Sequence, residues 1–120
     1  MKLIEIKEML EAEVISGEDK LEMKVSLGCA ADLMSDILAF GKPDSILLTG
    51  LTNLQVINTA NISDMKAVCF VRGKRPDENI IRAAKRNNLV ILFTNLPMFE
   101  TCGRLYKKGL KGLGYLGLDK

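Results

Sequence analysis

Three short polar turns hold most of the chemically equipped residues in this 120-residue chain: Thr49-Gly50-Leu51-Thr52-Asn53, Arg72-Gly73-Lys74-Arg75 and Thr94-Asn95. Their joint chemistry is anion recognition. Arg72, Lys74 and Arg75 carry positive charge, and Gly50 allows a close backbone approach. A helix starting at Thr52 would offer unpaired N–H groups and a partial positive charge. The candidate ligand-binding set is Thr49, Gly50, Thr52, Asn53, Arg72, Gly73, Lys74, Thr94 and Asn95. Its expected occupant is the phosphate or carboxylate of a small metabolite, a nucleotide included. The plainer and commoner alternative is that these are capping residues and solvated charges at turns.

Asp32 and Asp36 form a second, weaker candidate. They lie four apart and would stack on one helix face, holding a cation or a partner's arginine, or else lining a solvated side. The remaining catalytic inventory is thin. With no histidine, Ser-His-Asp and Cys-His relays are excluded and a zinc site is disfavoured. Cys29, Cys69 and Cys102 are scattered, with no Cys-x-x-Cys, and read as reduced buried thiols. The Gly-Leu-Thr-Asn turn lacks the Gly-Lys-Ser/Thr ending of a P-loop. Gly112, Gly114 and Gly117 spell G-x-G-x-x-G, but without the strand and helix that a dinucleotide fingerprint requires. No catalytic residue, cofactor or metal is expected.

The elements that would position these turns follow from the apolar pattern. Ile46-Leu47-Leu48, Ala67-Val68-Cys69-Phe70-Val71 and Leu89-Val90-Ile91-Leu92-Phe93 each run straight into one of the three turns. Recurring about every 22 residues, they read as three consecutive βα units. Unbroken apolar runs are typical of parallel strands covered on both faces. The turns then share the carboxyl edge of the sheet, where open α/β sheets hold ligands. The predicted fold is α/β: a single three-layer domain with a mainly parallel central sheet of about four to five strands flanked by helices.

Around this centre, Leu3, Ile6 and Leu10 predict a helix over Lys2–Glu11. Val14-Ile15-Ser16 predicts a strand, in the parallel sheet or in a hairpin with the next segment. There Leu21, Met23, Val25 and Leu27 alternate with polar residues, as in an edge strand with one wet face. Cys29 to Phe40 reads as a helix with Ala30, Leu33, Met34, Ile37 and Leu38 inward, closed by a left-handed Gly41. Thr52-Asn53-Leu54-Gln55 matches a capping box. Pro76 and Pro97 suit first helical turns. The second of these helices turns Met98, Cys102 and Leu105 inward, with Tyr106 at the margin, and ends at Gly109. Residues 110–120 read as a glycine- and leucine-rich arm laid on this domain or on a second subunit.

The chain has the length of one domain. Its 48% hydrophobic and 27% charged residues are ordinary for a globular protein. A net charge of +2 is too small to imply nucleic acid. No apolar run reaches a membrane-spanning length, and the acids at Glu5 and Glu8 are unlike a signal peptide. A cytoplasmic location is expected.

Three stretches carry a family resemblance: Gly28-Cys29-Ala30-Ala31-Asp32-Leu33-Met34-Ser35-Asp36-Ile37-Leu38-Ala39-Phe40, Leu47-Leu48-Thr49-Gly50-Leu51-Thr52-Asn53 and Phe70-Val71-Arg72-Gly73-Lys74-Arg75-Pro76. Over roughly Val14 to Leu110 the chain resembles stand-alone members of the DRTGG domain family. Such domains occur beside CBS modules in nucleotide-regulated pyrophosphatases and in the N-terminal part of some phosphotransacetylases. They also resemble the N-terminal domain of HPr kinase/phosphorylase. The resemblance implies an α/β domain that pairs with itself and serves regulation or assembly, and it transfers no catalytic residue. It points to a non-catalytic adaptor, a homodimer acting with a separately encoded protein partner. The alternative is a metabolite sensor at the turn edge.

Overall fold

The three continuous apolar runs form the middle of one sheet. In the computed structural model, which describes residues 1–114, they are β3 (Ser45–Thr49), β4 (Ala67–Phe70) and β5 (Val90–Phe93). Two more strands, β1 (Glu13–Ser16) and β2 (Leu27–Ala30), complete a sheet of order β1-β5-β4-β3-β2. β2, β3, β4 and β5 are parallel, while β1 lies antiparallel against β5 with a bulge between Val14 and Ser16.

Five helices make the outer layers: α1 (Leu3–Met9), α2 (Met34–Phe40), α3 (Leu54–Ile62), α4 (Glu78–Arg86) and α5 (Met98–Lys107). Successive strand residues point to opposite faces, so each central strand feeds two cores. Leu47, Val68, Phe70 and Ile91 pack under α2, α3 and α4 with Met34, Ile37, Val56, Ile57, Ile80 and Ala84. Ile46, Leu48, Cys69, Val90 and Leu92 pack under α1 and α5 with Leu3, Ile6, Leu10 and Leu105. This is the expected three-layer α/β sandwich. None of the described helices is long and apolar enough to cross a membrane.

Several local expectations are corrected. Residues 21–26 alternate in burial outside any ladder, and of the predicted edge strand only Leu27 enters the sheet, as the first residue of β2. Backbone bonds tie residues 21–25 to the chain start: Leu3 N–H to Met23 O (2.9 Å), Ile4 N–H to Leu21 O (2.9 Å) and Val25 N–H to Met1 O (2.9 Å). The period of two reports one wet side, here over α1 rather than at a sheet edge. Val14 does enter the sheet, running antiparallel.

Cys29 and Ala30 belong to β2, and the helix begins only at Met34. Of its expected inner stripe, Met34 and Ile37 are buried, whereas Leu33 and Leu38 are exposed. Gly41 is extended (φ −61°, ψ 149°), so the left-handed closure predicted there is absent. The cap of α3 is Asn53, whose side chain accepts from Val56 N–H, not the Thr52/Gln55 box. Asp77 caps α4 in the same way through Ile80 N–H (3.0 Å), placing Pro76 before the cap. Pro97 is itself the cap residue of α5. Tyr106 points outward from α5, while Gly109 does follow it in a left-handed conformation (φ 104°). Gly103 lies inside α5, where a Cβ would meet nothing within 4 Å. A glycine in a helix interior costs about 1 kcal/mol relative to alanine.

After α5, Leu110 is buried and Lys111 pairs with the free edge of β2, its carbonyl accepting from Gly28 N–H at 2.8 Å. The arm therefore starts on its own domain. Residues 115–120, including Gly117 of the glycine pattern, lie outside the described residues.

Candidate functional site

The β3, β4 and β5 turns converge because their strands are neighbours. Val71 N–H donates to Thr49 O (2.9 Å), Arg72 N–H to Leu96 O (2.9 Å) and Gly73 N–H to Thr94 O (3.1 Å). Arg72 and Gly73 both adopt left-handed backbone (φ 60° and 69°), which turns their N–H groups toward the β5–α5 turn. Arginine in that conformation is strained by about 1 kcal/mol. The two hydrogen bonds hold it there.

The centre of the edge is Asp32, from the loop between β2 and α2. Its Oδ1 accepts from Gly50 N–H (2.8 Å) and from the Thr49 hydroxyl (3.0 Å). Its Oδ2 meets the Arg72 guanidinium at 3.4 Å. The Gly50 N–H bond, and after it the Thr49 hydroxyl and the Arg72 charge, hold the Asp32 carboxyl below the usual carboxylate range. Arg72 also lies over Gly50: a Cβ added there would come within 2.6 Å of the guanidinium carbon. The close approach that Gly50 permits is used by the chain's own arginine.

The sequence-derived residues divide accordingly. Thr49, Gly50 and Arg72 form one cluster, and Asp32 turns out to be its hub rather than half of a helical pair. Asp36 lies in the first turn of α2 and lines a different hollow, so the expected Asp32–Asp36 face does not exist. Gly73, Thr94 and Asn95 form a second cluster; the Asn95 amide oxygen would stand 3.2 Å from a Cβ at Gly73. Thr94 is buried, donating its hydroxyl to Leu10 O (2.7 Å) and accepting from Leu96 N–H (3.2 Å). Asn53 is occupied as a helix cap. Thr52 is half-buried and Lys74 exposed, and neither side chain has a hydrogen-bond partner among the described residues. Arg75 turns away to β1, gripping Glu13 with two bonds (3.1 and 2.8 Å) and covering the Phe93 ring.

The cysteines offer little nucleophilic chemistry. Burial pushes the Cys69 thiol up to about 12 and also raises Cys102; for Cys29 burial acts first and the Asp36 charge adds to it. Among the described residues no group of three or more Cys, Asp or Glu could hold a metal ion. A hollow of about 390 Å³ lies away from the turns, between β2, α2 and residues 112–113. Ile37, Phe40 and Leu113 give it an apolar lining, with Asp36 at one side.

The DRTGG domain model matches residues 5–107, from α1 to the end of α5. The chain belongs to the DRTGG domain family. No curated protein matches it. Among solved structures, this DRTGG domain is similar to the CBS and DRTGG domains of the regulatory region of Clostridium perfringens pyrophosphatase, in complex with the activator diadenosine tetraphosphate. The likeness has a TM-score of 0.73 at 19% identity and covers 87% of this chain. This chain spans 45% of that one, and at such identity what is shared is the fold.

Proposed function

We propose that this DRTGG domain is a non-catalytic regulatory module that self-associates and acts with a partner protein. The observation that carries this reading is the mutual engagement of the carboxyl-edge groups. Asp32 collects Gly50, Thr49 and Arg72, Thr94 is tied to Leu10, and Asn53 caps α3. Groups held in this way brace three turns and leave no free acid–base pair among them. The similarity to part of a pyrophosphatase regulatory region supports a regulatory rather than chemical role.

A second reading, a sensor for a phosphate- or carboxylate-bearing metabolite, is favoured by Lys74 in the β4 turn and Thr52 before α3, whose side chains have no hydrogen-bond partner among the described residues. The nucleotide in the similar structure supports it further. A native mass spectrum of freshly purified protein separates the two. The adaptor predicts a dimer without added mass, and a monomer would overturn self-association. Added mass would favour the sensor. In that case Arg72→Ala and Lys74→Ala should abolish ligand-induced thermal stabilisation, and unchanged shifts would remove this edge as the site.

A further inference from the structure

We infer that the outer face of α5 is a docking surface for the same face of a second copy, the two helices crossing antiparallel at Gly103. This rests on the self-association reading and names its surface. Phe99 and Tyr106 are the exposed large apolar residues of α5, at 84% and 69%. Seven apart, they share one stripe of the helix. Gly103 lies between them at the centre of the solvent side, opposite the buried Thr101 and Leu105. Among the described residues nothing outside the helix comes near enough to need a glycine there. A helix interior without a side chain, between two protruding rings, is a notch that lets another helix approach closely.

The occupant is set by charge. Glu100 and Lys107 are both exposed on this face and stand on either side of Gly103. A parallel pair of α5 helices would keep Glu100 about 10 Å along the axis from Lys107 of the other copy, with no opposite charges brought together. An antiparallel pair about Gly103 sets Glu100 beside Lys107 of the other copy on one flank, and Phe99 against its Tyr106 on the other. The surface is thus complementary to itself under a two-fold axis, as an isologous interface must be. Arg104 ties α5 to the end of α1 by bonds to Met9 O (2.9 Å) and Glu11 (3.0 Å). One helix of about 15 Å presents less than the area of a standard stable interface, so the dimer is weak and concentration-dependent.

Sedimentation velocity over a protein dilution series tests this. Gly103→Leu adds bulk where the chain itself has open space, so the fold survives, as thermal melts would verify. It should weaken self-association roughly tenfold or more. Glu100→Lys and Lys107→Glu should each weaken it several-fold, and the double variant should recover it. A dimer unaffected by Gly103→Leu and Phe99→Ser would overturn this surface while leaving self-association standing. A wild-type protein monomeric throughout the series would overturn both.

Discussion

At the scale of single residues, the carboxyl edge is organised by a carboxylate of the chain itself. Asp32 meets a backbone N–H, a hydroxyl and a guanidinium, the donor set that anion sites use. Since its pKa is depressed by folding, its contribution to stability is present above the unfolded value of about 3.9 and is lost as pH falls through the lower folded value. Urea unfolding of the wild type should therefore weaken below about pH 4 more steeply than that of Asp32→Asn. Near neutral pH the variant should be less stable by about 1 kcal/mol, because the side chain is half-exposed and the lost bonds are partly replaced by water. Equal pH profiles would mean that Asp32 braces nothing. Arg72 adds a second test. Both Arg72→Ala and Arg72→Gly remove the ion pair, but only glycine relieves the left-handed backbone. Arg72→Gly should be the more stable of the two by about 1 kcal/mol in chemical denaturation. The reverse order would show that the turn relaxes once the guanidinium is gone.

At the scale of elements, α5 retains a glycine that its own packing does not require. Gly103→Ala should raise thermal stability in dilute solution by up to about 1 kcal/mol, a shift of several degrees for a domain of this size. A lowered melting temperature would place an unrecognised contact at that position. The elements also differ in how far the sequence disclosed them. β3, β4 and β5 were legible because an unbroken apolar run has one economical solution, a strand covered on both faces. The segment from Leu21 to Phe40 was not. Its alternation at Leu21, Met23 and Val25 truly reports one wet side, yet the backbone partners are Met1, Leu3 and Ile4, distant in sequence. The helical spacing from Cys29 to Phe40 crossed a strand end and a turn, because Cys29 and Met34 both face the same core from different elements. A helix over that stretch pairs Asp32 with Asp36 and hides the true partners of Asp32. Its partners Thr49 and Arg72 are neighbours only through the strand order, and no local pattern encodes that order.

At the scale of the whole molecule, the first dozen residues are as much part of the sandwich as the sheet. α1 closes the core on one face with Leu3, Ile6 and Leu10, each fully buried against Ile46, Leu48 and Leu92 or their neighbours. The chain start also supplies the bonds that order residues 21–25, and Leu10 O receives the buried Thr94 hydroxyl. Each of those three side chains stabilises by about 1.5–3 kcal/mol on burial. Together they amount to roughly 5–9 kcal/mol, comparable with the total stability of a small domain, about 5–15 kcal/mol. The family match beginning at residue 5, inside α1, agrees with a helix that is integral to the domain. Deleting residues 1–12 should therefore abolish cooperative folding, not merely lower the melting point. The deleted chain should give a flat near-ultraviolet dichroism spectrum and no thermal transition, with apolar dye binding to the uncovered sheet. A cooperative melt in that chain would show that α5 alone can cover this face. Since Arg104 anchors α5 to Met9 and Glu11, such a result would also imply that α5 shifts across the sheet to do so.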